Sequence, residues 1–169
     1  SAASDVYKRQ TVNGEEWIIK FPAHVDGENA GKMEYDYSCC AKKCGIIMSE
    51  TRLFPSENCE GYFGIKRFDR ISDKNGTKRI HMLTAAALLE LNFEQPSLDY
   101  HSLMKLTKIL TRDNEKDMRE MFRRMCFNVF AHNRDDHSKN FTYLYNDEKD
   151  RWSLSPAYDL TSVSYTHLT

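Results

Sequence analysis

The sequence has no long apolar run, no dominant sign of charge and no paired cysteine motif. None of its apolar stretches approaches the roughly 18 residues that a membrane-spanning helix needs, and its first residues lack the basic-then-apolar order of a signal peptide. The formal net charge of -1 provides no long-range attraction to nucleic acid or to an anionic membrane. These absences favour a cytoplasmic globular protein that binds neither membrane nor nucleic acid directly.

The cysteines are odd in number, and three of them crowd one predicted helix. The five are Cys39, Cys40, Cys44, Cys59 and Cys126. The first three offer neither a Cys-x-x-Cys pair nor a matching histidine pair, as a zinc site would require. We therefore interpret all five as reduced, structural thiols.

The two ends of the chain look foreign to the rest of it. Residues 1–10, SAASDVYKRQ, resemble the in-frame translation of a sequencing adapter. Residues 163–169, VSYTHLT, resemble the same adapter read from its complementary strand. We therefore expect the natural domain to occupy residues 11–162, and we expect sequence to be missing on both sides of it.

The first half of this natural segment predicts a small antiparallel sheet with one helix. An Asn13-Gly14 turn leads into a strand that ends near Phe21. Residues 30–44 predict a helix that a glycine ends. Loosely alternating residues 46–53 and 61–68 predict two further strands.

The second half predicts mainly helices, at residues 82–91, 100–110 and 114–130. Apolar side chains of the last helix recur at helical spacing and are expected in the core: Met118, Met121, Phe122, Met125, Cys126, Val129 and Phe130. Residues 141–145 and 152–155 then flank a charged turn and predict a β-hairpin.

Chemically active side chains concentrate between that last helix and the hairpin, in the run Asn133-Arg134-Asp135-Asp136-His137-Ser138-Lys139-Asn140. A solvated polar turn is the plainer interpretation of such a loop. The spacing outweighs it, because four residues separate Asp135 from Asn140, as in the catalytic loop of protein kinases. There the aspartate accepts the proton of the substrate hydroxyl and the asparagine holds magnesium.

The hairpin brings a second acidic residue toward this loop. Its strands run out from Asn140 and return, so Asp159 is expected close to Asn140 and able to share a metal ion with it. In kinases a hairpin likewise separates the metal-binding asparagine from the metal-binding aspartate. The Asp-Phe-Gly motif that usually carries this aspartate is absent here.

A lysine in the first half completes the constellation. Lys20 ends an apolar strand, from which its ammonium is expected to reach phosphate oxygens, as the strand lysine of a kinase does. The alternative is a surface lysine that extends into water. Glu34, near the start of the next helix, is the candidate ion-pair partner that orients Lys20, with Glu28 and Asp36 as competitors.

Together these residues resemble the core of the HipA-type serine/threonine kinases. The resemblance rests on the catalytic loop and on two further motifs, Ser155-Pro-Ala-Tyr-Asp159 and Lys66-Arg-Phe-Asp-Arg70. It implies an α+β, protein-kinase-like fold of two lobes. Residues 11–70 would then form the N-lobe and hinge, and residues 71–162 would form part of the C-lobe.

The resemblance implies a role for each matching residue. Asp135 would be the catalytic base, with His137 and Lys139 in the same catalytic loop, and Lys139 would neutralise charge on the moving phosphoryl group. Asn140 and Asp159 would bind Mg²⁺. The residues implied in holding or orienting ATP are Lys20, Glu34, Lys66, Arg67, Phe68, Asp69 and Tyr158. Among these, the segment from Lys66 matches the hinge that holds adenine, and Asp69 matches the ribose edge.

The family further implies a bacterial toxin–antitoxin system, a protein substrate and, for some members, a DNA-binding antitoxin as partner. Its glycine-containing phosphate loop should precede Lys20 and further helices should follow Asp159, so we expect this fragment to be weakly active or inactive. Two alternatives stay open: a small-molecule kinase of the same class, and a non-catalytic nucleotide-binding or toxin–antitoxin interaction module. A metal-dependent nuclease built on Asp135, Asp136 and His137 is disfavoured, because adjacent side chains do not readily face one ion.

Overall fold

The structure, a computed structural model, describes residues 6–21, 29–73, 76–89, 99–133 and 140–160. Its first part is a four-stranded antiparallel sheet with one helix, as predicted. The elements are β1 (Val6–Val12), β2 (Glu15–Phe21), α1 (Ala30–Lys43), β3 (Thr51–Phe54) and β4 (Tyr62–Lys66). The strand order is β1-β2-β4-β3, so β2 and β4 are the central pair.

The predicted Asn13-Gly14 turn joins β1 to β2, and both of its residues have positive φ, 52° and 80°. This conformation suits the twist of a two-residue hairpin. β1 includes residues 6–10, which the sequence marks as foreign, and pairs with β2 along its whole length. Strand pairing uses backbone groups, which every sequence has, so the origin of residues 1–10 stays a prediction.

Helix α1 packs on the sheet beside β3 and β4. Its approach is close, because a Cβ at Gly31 would lie 2.2 Å from the carbonyl oxygen of Gly61. Only glycine permits that contact. The close approach presents the first turns of α1, including Glu34, to the same part of the sheet that carries Lys20.

The segment after α1 departs from the sequence prediction. A strand was expected over residues 46–53, but β3 begins only at Thr51. The residues before it connect to the other half of the molecule instead: the Ile47 N–H donates to the Glu120 carboxylate (2.9 Å), and Met48 forms an isolated bridge with Ala157. These distant partners draw the chain away from the sheet, which is why the prediction of a strand over the first part of the range is wrong.

The chain then forms two small sheets, of which only the hairpin over residues 142–154 was anticipated. Strands β5 (Arg70–Asp73) and β6 (Gly76–Arg79) pair with each other. Strand β7 (Met82–Thr84) begins where a helix was predicted, and the helix α2 (Ala85–Leu88) follows it. That prediction is wrong for the first three residues, because β7 pairs with β8 (Thr142–Asn146), which in turn pairs with β9 (Arg151–Leu154).

The two long helices of the second half are confirmed at their expected positions. They are α3 (Tyr100–Leu110) and α4 (Glu115–Phe130). Asp99 and Asn114 cap them, since each side chain accepts a hydrogen bond from a backbone N–H in the first turn. Both pack against the three-stranded sheet, around a core made of Ala85, Leu103, Met121, Phe141, Tyr143 and Leu154.

The buried face of α4 differs from the one predicted. Met121 is fully buried, but Phe122, Val129 and Phe130 are 53%, 60% and 83% exposed. The side of the helix that faces inward instead carries polar residues as well as apolar ones: Asp117, Glu120, Met121, Arg124, Phe127 and Asn128. The predicted core position is therefore confirmed for Met121 and wrong for Phe122, Val129 and Phe130.

Two further expectations from the sequence concern cysteines and membranes. All five cysteines are free thiols, as predicted. Within the described ranges no helix has both the length and the apolar character needed to cross a membrane; the longest, α4, has 16 residues.

Candidate active site

Lys20 lies near the end of the central strand β2. Residues two apart on a strand face the same side, so Lys20 shares a face with Ile18. Its Nζ atom lies 2.5 Å from Glu34 Oε1 and 2.5 Å from Asp159 Oδ1. Burial alone would lower the pKa of Lys20, but the two carboxylates outweigh it and raise that pKa well above the ordinary value. The ammonium is therefore charged at any physiological pH and held at one point.

The structure decides which carboxylate pairs with Lys20. Glu34 on α1 does so, with 14% of its side chain exposed. Asp36, a competitor in the sequence, pairs instead with Lys32 on the outer surface of the helix, where its side chain is 56% exposed. Glu28, the other competitor, lies outside the described residues.

Asp159 has a left-handed backbone conformation, with φ of 57°. Aspartate tolerates this conformation better than most residues, although the conformation is still unfavourable for it. The carboxylate reaches Lys20 from a segment 139 residues away in the chain, and 30% of the side chain stays exposed. Asp159 therefore joins the sheet half of the molecule to the helical half.

The return of the hairpin, predicted from the sequence, is present. The Ser155 N–H donates to the Thr142 carbonyl oxygen (2.9 Å), and the Tyr158 hydroxyl lies 2.5 Å from Thr142 Oγ1. Asn140 lies two residues before Thr142, and Asp159 follows Tyr158 directly. These bonds bring the chain segments of Asn140 and Asp159 together. Asn140 is nevertheless not among the residues that line the cavity described next.

A cavity of about 510 Å³ lies beside Lys20 and Asp159. Its lining includes Ile18 of β2 and Ile65 of β4, which are paired across the two central strands. Lys20 lies two residues, about 7 Å, farther along β2. The apolar side chains that line the cavity include Phe68, Met82 and Tyr158. The lining therefore combines aromatic and apolar side chains with the ion-paired group of Lys20, Glu34 and Asp159.

Phe68 and Tyr158 form the aromatic part of the wall. Their ring centroids lie 5.6 Å apart, with the planes tilted by 33°. Burial raises the pKa of the Tyr158 hydroxyl, only partly offset by its hydrogen bond to Thr142, so the group stays neutral. The sequence suggested both residues, but not Met82, which was assigned to a helix.

The segment after β4 leaves the sheet and lines the cavity from Lys66 to Asp69. Its backbone is anchored, since the Lys66 and Arg67 N–H groups donate to the carbonyl oxygens of Glu50 and Glu16, both at 2.9 Å. The Lys66 ammonium pairs with Glu15. The backbone N–H groups of Lys66 and Arg67 are thus bonded to other backbone groups, and the adenine-holding role of this segment stays a prediction.

Asp69 is held by two arginines. Arg67 donates from Nε and Nη2 to its two carboxylate oxygens (2.8 and 2.6 Å), and Arg70 Nη1 donates to one of them (2.6 Å). Burial would raise the pKa of Asp69, but the hydrogen bonds and charge of Arg67 hold it below the ordinary value. Both carboxylate oxygens are thus engaged within the segment, so the arrangement stabilises the shape of this segment.

A family model described as the HipA-like C-terminal domain matches residues 2–168. This chain belongs to that family. A curated relative from Sinorhizobium fredii, named "Putative kinase Y4dM", is 26% identical over 162 residues, which cover 89% of this chain. The aligned part is 38% of the relative, so the HipA-like chain spans well under half of that protein.

Two solved structures have the same fold as this HipA-like chain. One is a chain of the Shewanella oneidensis toxin–antitoxin complex of HipA, HipB and operator DNA, with a TM-score of 0.74 over 96% of this chain and 44% of that one. The other is the Helicobacter pylori proinflammatory kinase CtkA, with a TM-score of 0.69 over 92% of this chain and 54% of that one. Each is 17% identical in sequence. The α+β, kinase-like fold expected from the sequence is therefore confirmed.

Most of the predicted catalytic loop of the HipA-like chain lies outside the described residues, including Asp135, His137 and Lys139. The residue just before this undescribed segment, Asn133, is buried, and its side-chain amide donates to Asn128 Oδ1 (3.1 Å) on α4. The Asn133 N–H also donates to the Asn128 carbonyl oxygen (2.9 Å). The loop therefore starts from a fixed point in the core, while the roles of its residues stay predictions.

The described side chains suit Mg²⁺ held together with phosphates better than a metal held by protein alone. The described ranges contain no group of three or more His, Cys, Asp or Glu side chains that could hold a metal ion. Mg²⁺ in phosphotransferases is usually bound by one or two protein oxygens together with substrate phosphates. A partly exposed Asp159 carboxylate beside a charged lysine, at a cavity of this size, fits that chemistry.

Proposed function

We propose that this chain carries the nucleotide site of a kinase that transfers phosphate from Mg-ATP to a hydroxyl group. The observation that carries the proposal is the cavity in which aromatic and apolar walls adjoin the ion-paired group of Lys20, Glu34 and Asp159. The adenine ring of ATP needs flat apolar walls, whereas its triphosphate needs fixed positive charge and a metal. A site with both features matches the two chemically different parts of ATP.

Six of the described residues have a proposed task in this site. Lys20 would bind phosphate oxygens, and Glu34 would hold the ammonium in place for them. Phe68 and Tyr158 would contact the adenine ring. Asp159, together with Asn140, would hold Mg²⁺, which neutralises phosphate charge when bound.

The loop residues complete the proposed reaction. Asp135 would accept the proton of the attacking hydroxyl, because a base at this point in the loop faces the acceptor group in kinases. His137 and Lys139 would lie beside it, with Lys139 near the transferred phosphoryl group. Catalysis of this kind depends on position and charge more than on covalent steps.

We further propose that the acceptor is a serine or threonine of a protein, and that the whole protein acts in a toxin–antitoxin system with a DNA-binding antitoxin. Family membership supports this, as does the fold shared with a complex of HipA, HipB and operator DNA. Since the chain spans 38% of its curated relative, these properties belong to the whole protein.

Calorimetric titration and a labelled-phosphate assay test the proposal. The chain should bind ATP more tightly with Mg²⁺ than with EDTA, though weakly, and should transfer little phosphate. A version extended to the full length of the curated relative should bind more tightly and transfer label from γ-labelled ATP to serine or threonine. If neither protein binds ATP in the presence of Mg²⁺, the proposal is wrong.

A further inference from the structure

A buried ion pair on α4 is bonded to two segments outside the helix. Arg124 Nε donates to Glu120 Oε1 (3.0 Å), and the two side chains are only 2% and 4% exposed. The same Glu120 oxygen accepts the Ile47 N–H (2.9 Å), and Arg124 Nη2 donates to the Ser155 carbonyl oxygen (2.6 Å). The pair thus links the segment that follows α1 to the segment that precedes Asp159.

These two segments also bond to each other. The Ala157 N–H donates to the Ile47 carbonyl oxygen (2.8 Å), and Met48 and Ala157 form a parallel bridge. Ala157 lies two residues before Asp159, while Ile47 follows the helix that carries Glu34. Both carboxylates that hold Lys20 therefore lie on stretches of chain attached to the ion pair.

The arrangement has two energetic costs. Burying two charges is expensive, and apolar residues of similar volume often stabilise a protein as well or better. The left-handed backbone at Asp159 is a second cost, and such a conformation persists only where the surroundings enforce it. The surroundings of Asp159 include the bond from Arg124 to Ser155, four residues before it, and the bond from Ala157 to Ile47.

We propose that Glu120 and Arg124 are positioning residues that hold the Ser155 to Asp159 segment against Ile47, and so set the Asp159 carboxylate relative to Lys20. The consequence for metal and nucleotide rests on the proposed function. The positioning itself does not, because it concerns bonds between described segments of the chain.

Helix α4 supplies a matched control. Glu115 and Arg119 have the same residue types at the same spacing, with Arg119 Nη2 2.6 Å from Glu115 Oε1, but their side chains are 76% and 73% exposed. Replacing either pair removes the ion pair between its two members, and replacing Glu120 also removes its ion pair with Arg123. Only the buried pair also loses its bonds to Ile47 and Ser155.

The test compares Glu120→Met/Arg124→Met with Glu115→Met/Arg119→Met, and adds Arg124→Lys as the conservative variant. Methionine fills similar volume without charge, so the buried double variant is expected to fold, and thermal unfolding verifies this. Arg123, which also donates to Glu120 (2.9 Å), is 43% exposed and can turn to solvent. Readouts are amide hydrogen exchange at Ala157 and Ile47, and calorimetric titration of ATP with Mg²⁺ or with EDTA.

We expect the buried double variant to exchange the Ala157 amide at least about tenfold faster at unchanged global stability, because the helix no longer supports its segment. The Mg²⁺-dependent part of ATP affinity should fall by about tenfold or more, as is usual when a residue behind a metal ligand is lost. Arg124→Lys should lie between this variant and the wild type, and the exposed pair should change neither readout.

The outcomes separate the inference from the proposed function. Wild-type exchange at Ala157 in a folded double variant overturns the positioning role, as does equal loss in both double variants. If the buried double variant does not fold, Arg124→Lys decides by the same two readouts. If the wild type binds no Mg-ATP, the proposed function fails, and amide exchange alone decides the positioning role.

Discussion

The ammonium of Lys20 lies 2.5 Å from Asp159 Oδ1, although 139 residues separate the two in the chain. The same ammonium lies 2.5 Å from Glu34 Oε1. One cation thus joins a strand, a helix and the segment after a hairpin. Removing its charge leaves two carboxylates facing each other, which makes Lys20 the residue whose replacement should alter the site most directly.

Replacing Lys20 with methionine should weaken Mg-ATP binding by more than about tenfold, because a lost charged hydrogen bond costs about 1.5–3 kcal/mol. Calorimetric titration measures this. Lys32→Met is the matched control, since Lys32 pairs with Asp36 on the exposed side of α1. Equal affinity of Lys20→Met and wild type would remove Lys20 from the nucleotide site.

In a version extended to the full length of the curated relative, Asp135→Asn should lower phosphate transfer by at least about a hundredfold and leave ATP binding largely intact. The reason is that a base acts on the acceptor hydroxyl and not on the nucleotide. Transfer of label from γ-labelled ATP and calorimetry measure the two effects. Undiminished turnover would contradict the role of Asp135.

Asp159→Asn, in the same longer protein, should instead weaken both transfer and Mg²⁺-dependent ATP binding, because amide oxygen is a poorer magnesium ligand than carboxylate. The two assays are those used for Asp135. Asp147→Asn, on the exposed hairpin turn, is the control and should change neither. Loss of transfer with unaltered ATP affinity would argue against Asp159 as a metal ligand.

The free energy of unfolding of the chain should decrease when the pH is lowered beyond about 4, partly because Asp69 becomes protonated. Burial opposes ionisation of this carboxyl, yet Arg67 holds its pKa below the ordinary value. A lowered folded pKa stabilises the fold above the unfolded pKa, and this contribution is lost as the pH falls through the folded value. Urea unfolding from about pH 2 to pH 6 should therefore show a flatter dependence for Asp69→Asn than for wild type. Asp113→Asn, at an exposed carboxylate, is the control, and equal slopes for Asp69→Asn and wild type would contradict the prediction.

Two apolar side chains of α4 differ in burial, so replacing them should change the free energy of unfolding by different amounts. Met121→Ala should lower the free energy of unfolding by about 2–5 kcal/mol, because Met121 is fully buried. Phe130→Ala should change it by less than about 0.5 kcal/mol, because Phe130 is 83% exposed. Urea unfolding of this chain measures both. A large loss for Phe130→Ala would show that this side of the helix is covered in solution.

Elements with strong local signals were predictable from the sequence. Helices α3 and α4 have capping side chains at Asp99 and Asn114 and apolar residues at helical spacing. The hairpin of β8 and β9 has a charged turn between two apolar strands. In each case the residues that give the signal lie close together in the chain.

Predictions failed where distant partners decide the structure. Residues 82–84 form a strand because their backbone pairs with β8, which lies some sixty residues later in the chain. Phe122 and Phe130 share a side of α4 with helical spacing, but spacing does not reveal which side has a neighbour. The buried side holds Glu120 and Arg124 because backbone groups of other segments satisfy their charges.

The sequence by itself determined the kinds of chemistry available: a strand lysine, an Asp-x₄-Asn loop and a hairpin that returns to an aspartate. The tertiary structure decided which of these groups meet. Glu34 and not Asp36 pairs with Lys20, and Asp69 is enclosed by Arg67 and Arg70. The physical reason is that ion pairs and hydrogen bonds depend on distances of a few ångströms in space, which the order of residues along a chain does not contain.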